Sequence, residues 1–126
     1  MTYKEFIETK SSMEFADWIS DNMVMKIPES IESTDDLRLV SELLGNTANK
    51  ISYLSNLLSY AKVIQREAKR KGGTASKLEV EDLTDKKEVL SNALEAMILQ
   101  HKALSRMITV RQEIMNELKL SGGGEV

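Results

Sequence analysis

The stretch that decides the fold is residues 37–71, LRLVSELLGNTANKISYLSNLLSYAKVIQREAKRK. Within it, uncharged and mostly apolar residues recur at alternating steps of three and four, which is the a/d heptad pattern of helices that pack as a coiled coil. These positions are Leu37, Val40, Leu44, Thr47, Ile51, Leu54, Leu58, Ala61, Gln65 and Ala68. Gly45 could break the helix in two, but the heptad register continues through it. We therefore predict one helix at about 35–71.

The same rhythm recurs further along the chain and predicts a second long helix at about 79–119. Its positions are Leu83, Leu90, Leu94, Met97, Leu104, Ile108, Met115 and Leu118. Residues 72–76, GGTAS, predict a turn between the two helices, and residues 121–126, SGGGEV, predict a flexible tail. Two long helices joined by a short turn predict a long antiparallel helical hairpin, in the manner of a coiled coil.

The amino-terminal segment predicts a shorter helix at about 2–26 that ends before Pro28. Thr2 with Glu5, and Ser11 with Glu14, both have the spacing of a capping box. The segment is therefore either one helix or two short ones. With the hairpin it predicts a single all-α domain over residues 1–120.

Composition and length limit the classes of protein. The chain has 126 residues, 41% of them hydrophobic, and no cysteine, which excludes disulfides and thiolate metal sites. No apolar run approaches ~18 residues, so we expect no membrane partner and a cytoplasmic location. Each of the two long helices, with about 35 residues, is ~52 Å long. A compact chain of 126 residues has a diameter of only ~36 Å. We therefore expect an elongated molecule that covers its apolar surface by forming a homo-oligomer.

The net charge of -3 conceals a basic segment. Residues 1–36 carry three basic and nine acidic side chains, whereas residues 37–71 carry seven basic and two acidic ones. Five of the basic residues form a cluster, which we call the basic cluster: Lys62, Arg66, Lys69, Arg70 and Lys71.

Two interpretations of the basic cluster stay open. It could contact nucleic-acid phosphates, with Tyr53 and Tyr60 of the same helix stacking on bases. Alternatively, it could complement the helix dipole and pair with acidic residues across the hairpin. Those residues are Glu79, Glu81, Asp82, Asp85 and Glu88.

The acidic first segment carries three aromatic side chains that are candidates for partner binding. These are Phe6, Phe15 and Trp18. An amphipathic helix with aromatic anchors is a common ligand for a protein groove. The alternative is that these rings pack on the hairpin.

Catalytic chemistry has little basis in this sequence. His101 is the only histidine, and there is no cysteine nucleophile. Its place in the heptad rhythm predicts a structural role beside Asn46 and Asn49 of the other long helix. Di-iron bundles need Glu-x-x-His, but Ile98 stands three residues before His101. We therefore expect no enzyme activity, no catalytic residue, no cofactor and no metal.

Two stretches carry a resemblance in style. LLSYAK at 57–62 and SRMITV at 105–110 resemble segments of small helical proteins encoded by bacteriophages and prophages. The resemblance covers roughly residues 43–119, and the overall plan is similar to phage recombination mediators, which are helical oligomers that load a recombinase on single-stranded DNA. It implies a DNA-binding accessory protein of recombination or replication, acting in the host cytoplasm on single-stranded nucleic acid or on its binding proteins. The alternatives are a protein-binding module or inhibitor of a phage or host protein, and a structural assembly subunit.

Overall fold

The protein is built from four helices in the computed structural model, which describes residues 2–23 and 26–125. They are α1 (Tyr3–Thr9), α2 (Ser12–Met23), α3 (Thr34–Lys71) and α4 (Thr74–Glu125). The described residues contain no strand, so the predicted all-α class is confirmed. Positions 1, 24, 25 and 126, which the predictions included, lie outside the described residues.

The amino-terminal segment forms two helices where one was predicted at 2–26. The Thr2 hydroxyl accepts a hydrogen bond from the Glu5 amide at 3.2 Å, and the Ser11 hydroxyl accepts one from the Glu14 amide at 3.2 Å. Between them Lys10 is extended, with ψ of 139°. The second cap starts its own helix, because a capping residue has non-helical dihedrals and satisfies the first free amides of the helix that follows it.

Helix α3 is continuous through Gly45, as predicted. The Ser33 hydroxyl caps its start by accepting from the Asp36 amide at 3.1 Å. It ends at Lys71 and is followed by Gly72 and Gly73, whose φ values of 67° and 88° lie in the left-handed region that favours glycine.

Helix α4 is longer at both ends than the predicted span of 79–119. The two glycines complete the turn by themselves, so α4 begins at once at Thr74. It continues to Glu125, so that residues 121–125 of the predicted flexible tail have a helical backbone. Glycines cost only about 1 kcal/mol each in a helix, and no proline stops this one.

Helices α3 and α4 lie side by side in opposite directions. The Thr47 hydroxyl lies 2.9 Å from Nδ1 of His101, and Nε2 of Gln65 donates to the Thr84 hydroxyl at 2.6 Å. Lys87 in turn donates to Oε1 of Gln65 at 2.8 Å. Polar side chains of the two helices thus satisfy one another beside a core that is mostly apolar.

The short helices pack on this pair, α1 against α3 and α2 against α4. Ile7 and Phe15 are fully buried by this packing. A second core cluster joins Ile31 of the following segment to Val40 and Leu104. The first 31 residues therefore contribute to both core clusters along the helix pair.

No helix of the described chain is long and apolar enough to cross a membrane.

Candidate nucleic-acid interface

The basic cluster occupies the last three turns of α3, next to the turn into α4. All five of its side chains are exposed. Lys62, Arg66 and Lys69 follow one another at steps of four and three, which places them on one face of the helix. Buried residues such as Ala61 and Ala68 occupy the face toward α4 and the amino-terminal helices. The cluster is therefore a basic strip that faces solvent.

In the part of the chain that the structure describes, no carboxylate lies within ion-pair distance of the basic cluster. Across residues 2–23 and 26–125, the ion pairs are Lys4–Glu8 at 4.0 Å and Lys86–Asp82 at 2.7 Å. Asp82 is thus engaged by Lys86. The other four carboxylates proposed to pair with the cluster are exposed. They are Glu79, Glu81, Asp85 and Glu88.

The helix dipole accounts for only part of the basic cluster. Lys69, Arg70 and Lys71 lie in the last turn of α3, where cations complement the negative helix end. That effect falls off within one turn. Lys62 and Arg66 lie further back, so dipole compensation does not explain their presence.

Sequence reasoning missed a sixth basic residue at this end of the molecule. Lys77, in the first turn of α4, lines a shallow surface groove together with Lys69, the two glycines and Ser76. The Ser76 hydroxyl donates to the Ala68 carbonyl near the end of α3 and so ties the two helix ends together. The short turn brings Lys77 to the cluster, and the predicted start of the helix at 79 concealed this.

The two tyrosines on α3 lie apart from the basic cluster. The Tyr3 ring of α1 stacks on Tyr60 with 5.3 Å between centroids and lies 5.5 Å from Tyr53. Burial, followed by the neighbouring Tyr3, raises the pKa of Tyr53 above its ordinary value. Tyr60 and Lys62 are two residues apart, so they point about 200° apart around the helix. The structure thus places the tyrosines against α1.

The aromatic residues of the first segment are packed together. Phe15 is fully buried, and Phe6 and Trp18 are partly buried against the main core cluster. The Phe6 ring meets Trp18 at 4.7 Å and Phe15 at 5.6 Å between centroids, both edge to face. Trp18 in turn approaches Tyr53 at 5.9 Å. These rings cover one another and the helix pair.

A buried lysine joins α1, α2 and α4, and nothing in the sequence reasoning singled it out. Lys86 is only 2% exposed, and its Nζ donates to the Ile7 carbonyl at 2.7 Å and to Asp82 at 2.7 Å. The Ser12 hydroxyl, at the start of α2, donates to the same carboxylate. We call these four residues the Lys86 node. Its amine satisfies a carbonyl that the end of α1 leaves free.

The Lys86 node also sets the charge state of Asp82. Partial burial raises the pKa of this carboxyl, but the hydrogen bonds from Lys86 and Ser12, with the charge of Lys86, outweigh it. The net effect is a pKa below the ordinary value of 3.8. Asp82 is therefore ionised at neutral pH and acts as a structural acceptor.

The only histidine has a structural partner, although not the predicted one. Nδ1 of His101 meets Thr47, whose hydroxyl also donates to the Leu44 carbonyl at 2.9 Å. Asn46 and Asn49, the expected partners, are exposed. Thr47 is a heptad position and the asparagines are not, and core positions of paired helices meet core positions. In the part of the chain that the structure describes, no group of three or more acidic or histidine side chains could hold a metal ion.

Comparisons of the chain with protein-family models, with curated proteins and with solved structures return no match.

Proposed function

We propose that this chain is a non-enzymatic accessory protein that contacts single-stranded nucleic acid through the basic cluster, at one end of an elongated helical hairpin. The observation that supports this most directly is the exposure of all five basic side chains without an ion-paired carboxylate in the described residues. Unpaired lysine and arginine side chains on one surface are the electrostatic signature of phosphate binding. Lys77 extends that surface across the turn.

The resemblance to phage recombination mediators favours a role in recombination or replication, in the cytoplasm of a host if the chain is phage-encoded. Such a protein acts as a homo-oligomer, which repeats a modest basic patch along a strand and multiplies its affinity. The alternative, a partner-binding amino-terminal helix with Phe6, Phe15 and Trp18 as anchors, gains no support from rings that pack internally. We therefore propose contact with nucleic acid ahead of that alternative.

The decisive experiment measures binding to a single-stranded oligonucleotide as a function of salt. Five phosphate contacts per chain predict a slope of about −3.5 in log affinity against log salt. Affinity then falls about a hundredfold between about 50 and 200 mM salt. Fluorescence anisotropy with a labelled strand of about 30 nucleotides measures both quantities.

A matched pair of variants separates the basic cluster from net charge. Arg66→Glu with Arg70→Glu reverses two cluster charges, and Arg38→Glu with Lys102→Glu makes the same change in net charge at exposed positions far from the turn. We expect the first variant to lose binding and the second to retain most of it. Equal binding by both variants, or no binding by the unmodified protein at about 50 mM salt, contradicts the proposal.

A further inference from the structure

The carboxyl-terminal half of α4 carries an apolar surface that the rest of the described chain leaves partly uncovered. We call it the α4 stripe, and its members recur at steps of three and four, which places them on one face. They are Leu99, Ala103, Met107, Val110, Ile114 and Leu118. The exposed fractions reach 66% for Leu99, 44% for Ile114 and 62% for Leu118. These are large apolar side chains in positions where a surface helix normally carries polar ones.

The first part of the α4 stripe runs alongside α3, because His101 meets Thr47 and Leu104 packs with Val40 on the neighbouring face of α4. The end of the stripe extends past the start of α3. Ser33 and Thr34, at the start of α3, line a groove with Met115 and Asn116 of α4. Beyond that level α3 has no residues left to pack on α4, and residues 112–120 are all exposed. A second groove of about 340 Å³ runs along the α4 stripe beside residues 29–31. Both grooves are open at the end of the molecule opposite the basic cluster.

We propose that the α4 stripe binds the same stripe of a second copy of this chain, with the two α4 helices antiparallel. Aligning Met107 with Ile114 of the second copy brings Ala103 level with that copy's Leu118. The two-fold symmetry of such a pair repeats every contact, so four apolar contacts form from one register. The occupant is thus another copy of the chain, because the surface is complementary to itself.

The charges beside the α4 stripe fit the same register. Arg106, Glu113 and Glu117 lie seven and eleven residues apart, so they form one edge of the stripe. In the antiparallel alignment Arg106 comes level with the turn of the second copy that carries both glutamates, and the symmetry makes this exchange reciprocal. In the described residues no carboxylate lies within ion-pair distance of Arg106, although Glu29 lines the same groove.

The test is the mass in solution. We expect the unmodified protein to sediment at twice 14.2 kDa at about 100 µM, and Ile114→Glu to weaken association at least about tenfold, because it places a charge at the centre of an apolar contact. Leu78→Glu is the matched control, since Leu78 is 67% exposed near the turn at the far end of the molecule. It should leave the mass unchanged. A monomeric unmodified protein, or equal masses for both variants, overturns the proposal.

Charge exchange tests the register independently of folding. Arg106→Glu alone should weaken the dimer, and adding Glu113→Arg and Glu117→Arg should restore it, because every contact is reciprocal. Failure of this rescue overturns the antiparallel alignment. Single cysteines give a second readout in a chain without cysteine. Val110→Cys should cross-link with a short bis-maleimide, and Leu78→Cys should not.

This proposal and the nucleic-acid proposal fail separately. Sedimentation needs no nucleic acid, and Arg66→Glu with Arg70→Glu should leave the dimer intact. Loss of oligonucleotide binding with an intact dimer tests only the basic cluster. Loss of the dimer in Ile114→Glu tests the α4 stripe, and the basic cluster of the monomer remains available for phosphate contact.

Discussion

Replacing Lys86 with methionine tests whether the Lys86 node holds the amino-terminal helices on the helix pair. Methionine keeps an unbranched apolar stem of similar length in a site where lysine is only 2% exposed. It removes the amine that bonds the Ile7 carbonyl and Asp82. The substitution therefore deletes two hydrogen bonds with little change in packing volume.

The magnitude follows from the two acceptors. A hydrogen bond from a charged donor contributes about 1.5–3 kcal/mol. Ile7 is fully buried, so water does not replace the lost amine at its carbonyl. The Asp82 side chain is 41% exposed, so water takes over much of the lost contact there. We expect the free energy of unfolding to fall by about 2 kcal/mol. For a chain of this length, that lowers the Tm by roughly 6–8 °C.

The assay combines global and local measurements. Thermal unfolding followed by circular dichroism gives the Tm, and the fluorescence of Trp18, the only tryptophan, reports the packing of α2 on the core. Amide hydrogen exchange should speed up in α1 and α2 more than in α3. Lys102→Met is the control, since Lys102 is exposed on the same helix, and it should change stability by less than about 0.5 kcal/mol. If Lys86→Met behaves like this control and protection in α1 is unchanged, the reasoning about the node is refuted.

Three further predictions concern the fold. The lowered pKa of Asp82 adds stability that is present above its unfolded value of 3.8 and is lost as pH falls through the lower folded value. Asp82→Asn should therefore make the Tm fall less steeply as the pH is lowered. Parallel plots of Tm against pH for the variant and the unmodified protein would contradict this prediction. Gly45→Ala should stabilise the protein by roughly 0.5–1 kcal/mol, because nothing lies within 4 Å of an added Cβ and alanine leaves the unfolded chain fewer conformations. Gly72→Ala, at a φ of 67°, should destabilise it. Denaturant titration of the two variants checks the sign of each change. Phe15→Ala should lower the free energy of unfolding by about 3–5 kcal/mol. Met13→Ala, at a position 71% exposed, should leave it unchanged in the same titration. Similar free energies for the two variants would contradict the packing of the first segment.

The heptad pattern was sufficient to predict the long helices because it repeats over many turns and each turn adds to the same signal. The boundaries were harder. The start of α4 depends on two glycines that reverse the chain within two residues, and the division between α1 and α2 depends on a cap whose alternative was a continuous helix. The position of such a helix boundary depends on a small energy difference between competing local conformations. The periodicity of apolar residues contains no information about that difference.

The Lys86 node lay beyond sequence reasoning for a different reason. Asp82 and Lys86 have the spacing of an ordinary surface pair on one helix, and lysine is almost never fully buried. Its decisive partner is a main-chain carbonyl at the end of α1, and every residue has a carbonyl, so no side-chain pattern marks it. The basic cluster was visible in the sequence, but its freedom from carboxylates depends on side-chain positions that only the structure gives.

The contacts of the Lys86 node join distant parts of the chain, which predicts the order in which the chain folds. Lys86 and Ile7 are 79 residues apart, and Ser12 and Asp82 are 70 apart, whereas α3 and α4 meet first across a two-residue turn. Local contacts of that kind form fastest, so we expect the middle of the chain to fold first and the first helices to dock last. During synthesis at about 5–20 residues per second, Ser12 of α2 waits roughly 4–14 s for its partner Asp82 to be made. Over that interval α2 lacks the helix on which it packs, so the newly made amino-terminal segment keeps part of its apolar surface exposed and is the part of the chain that we expect a chaperone to bind first.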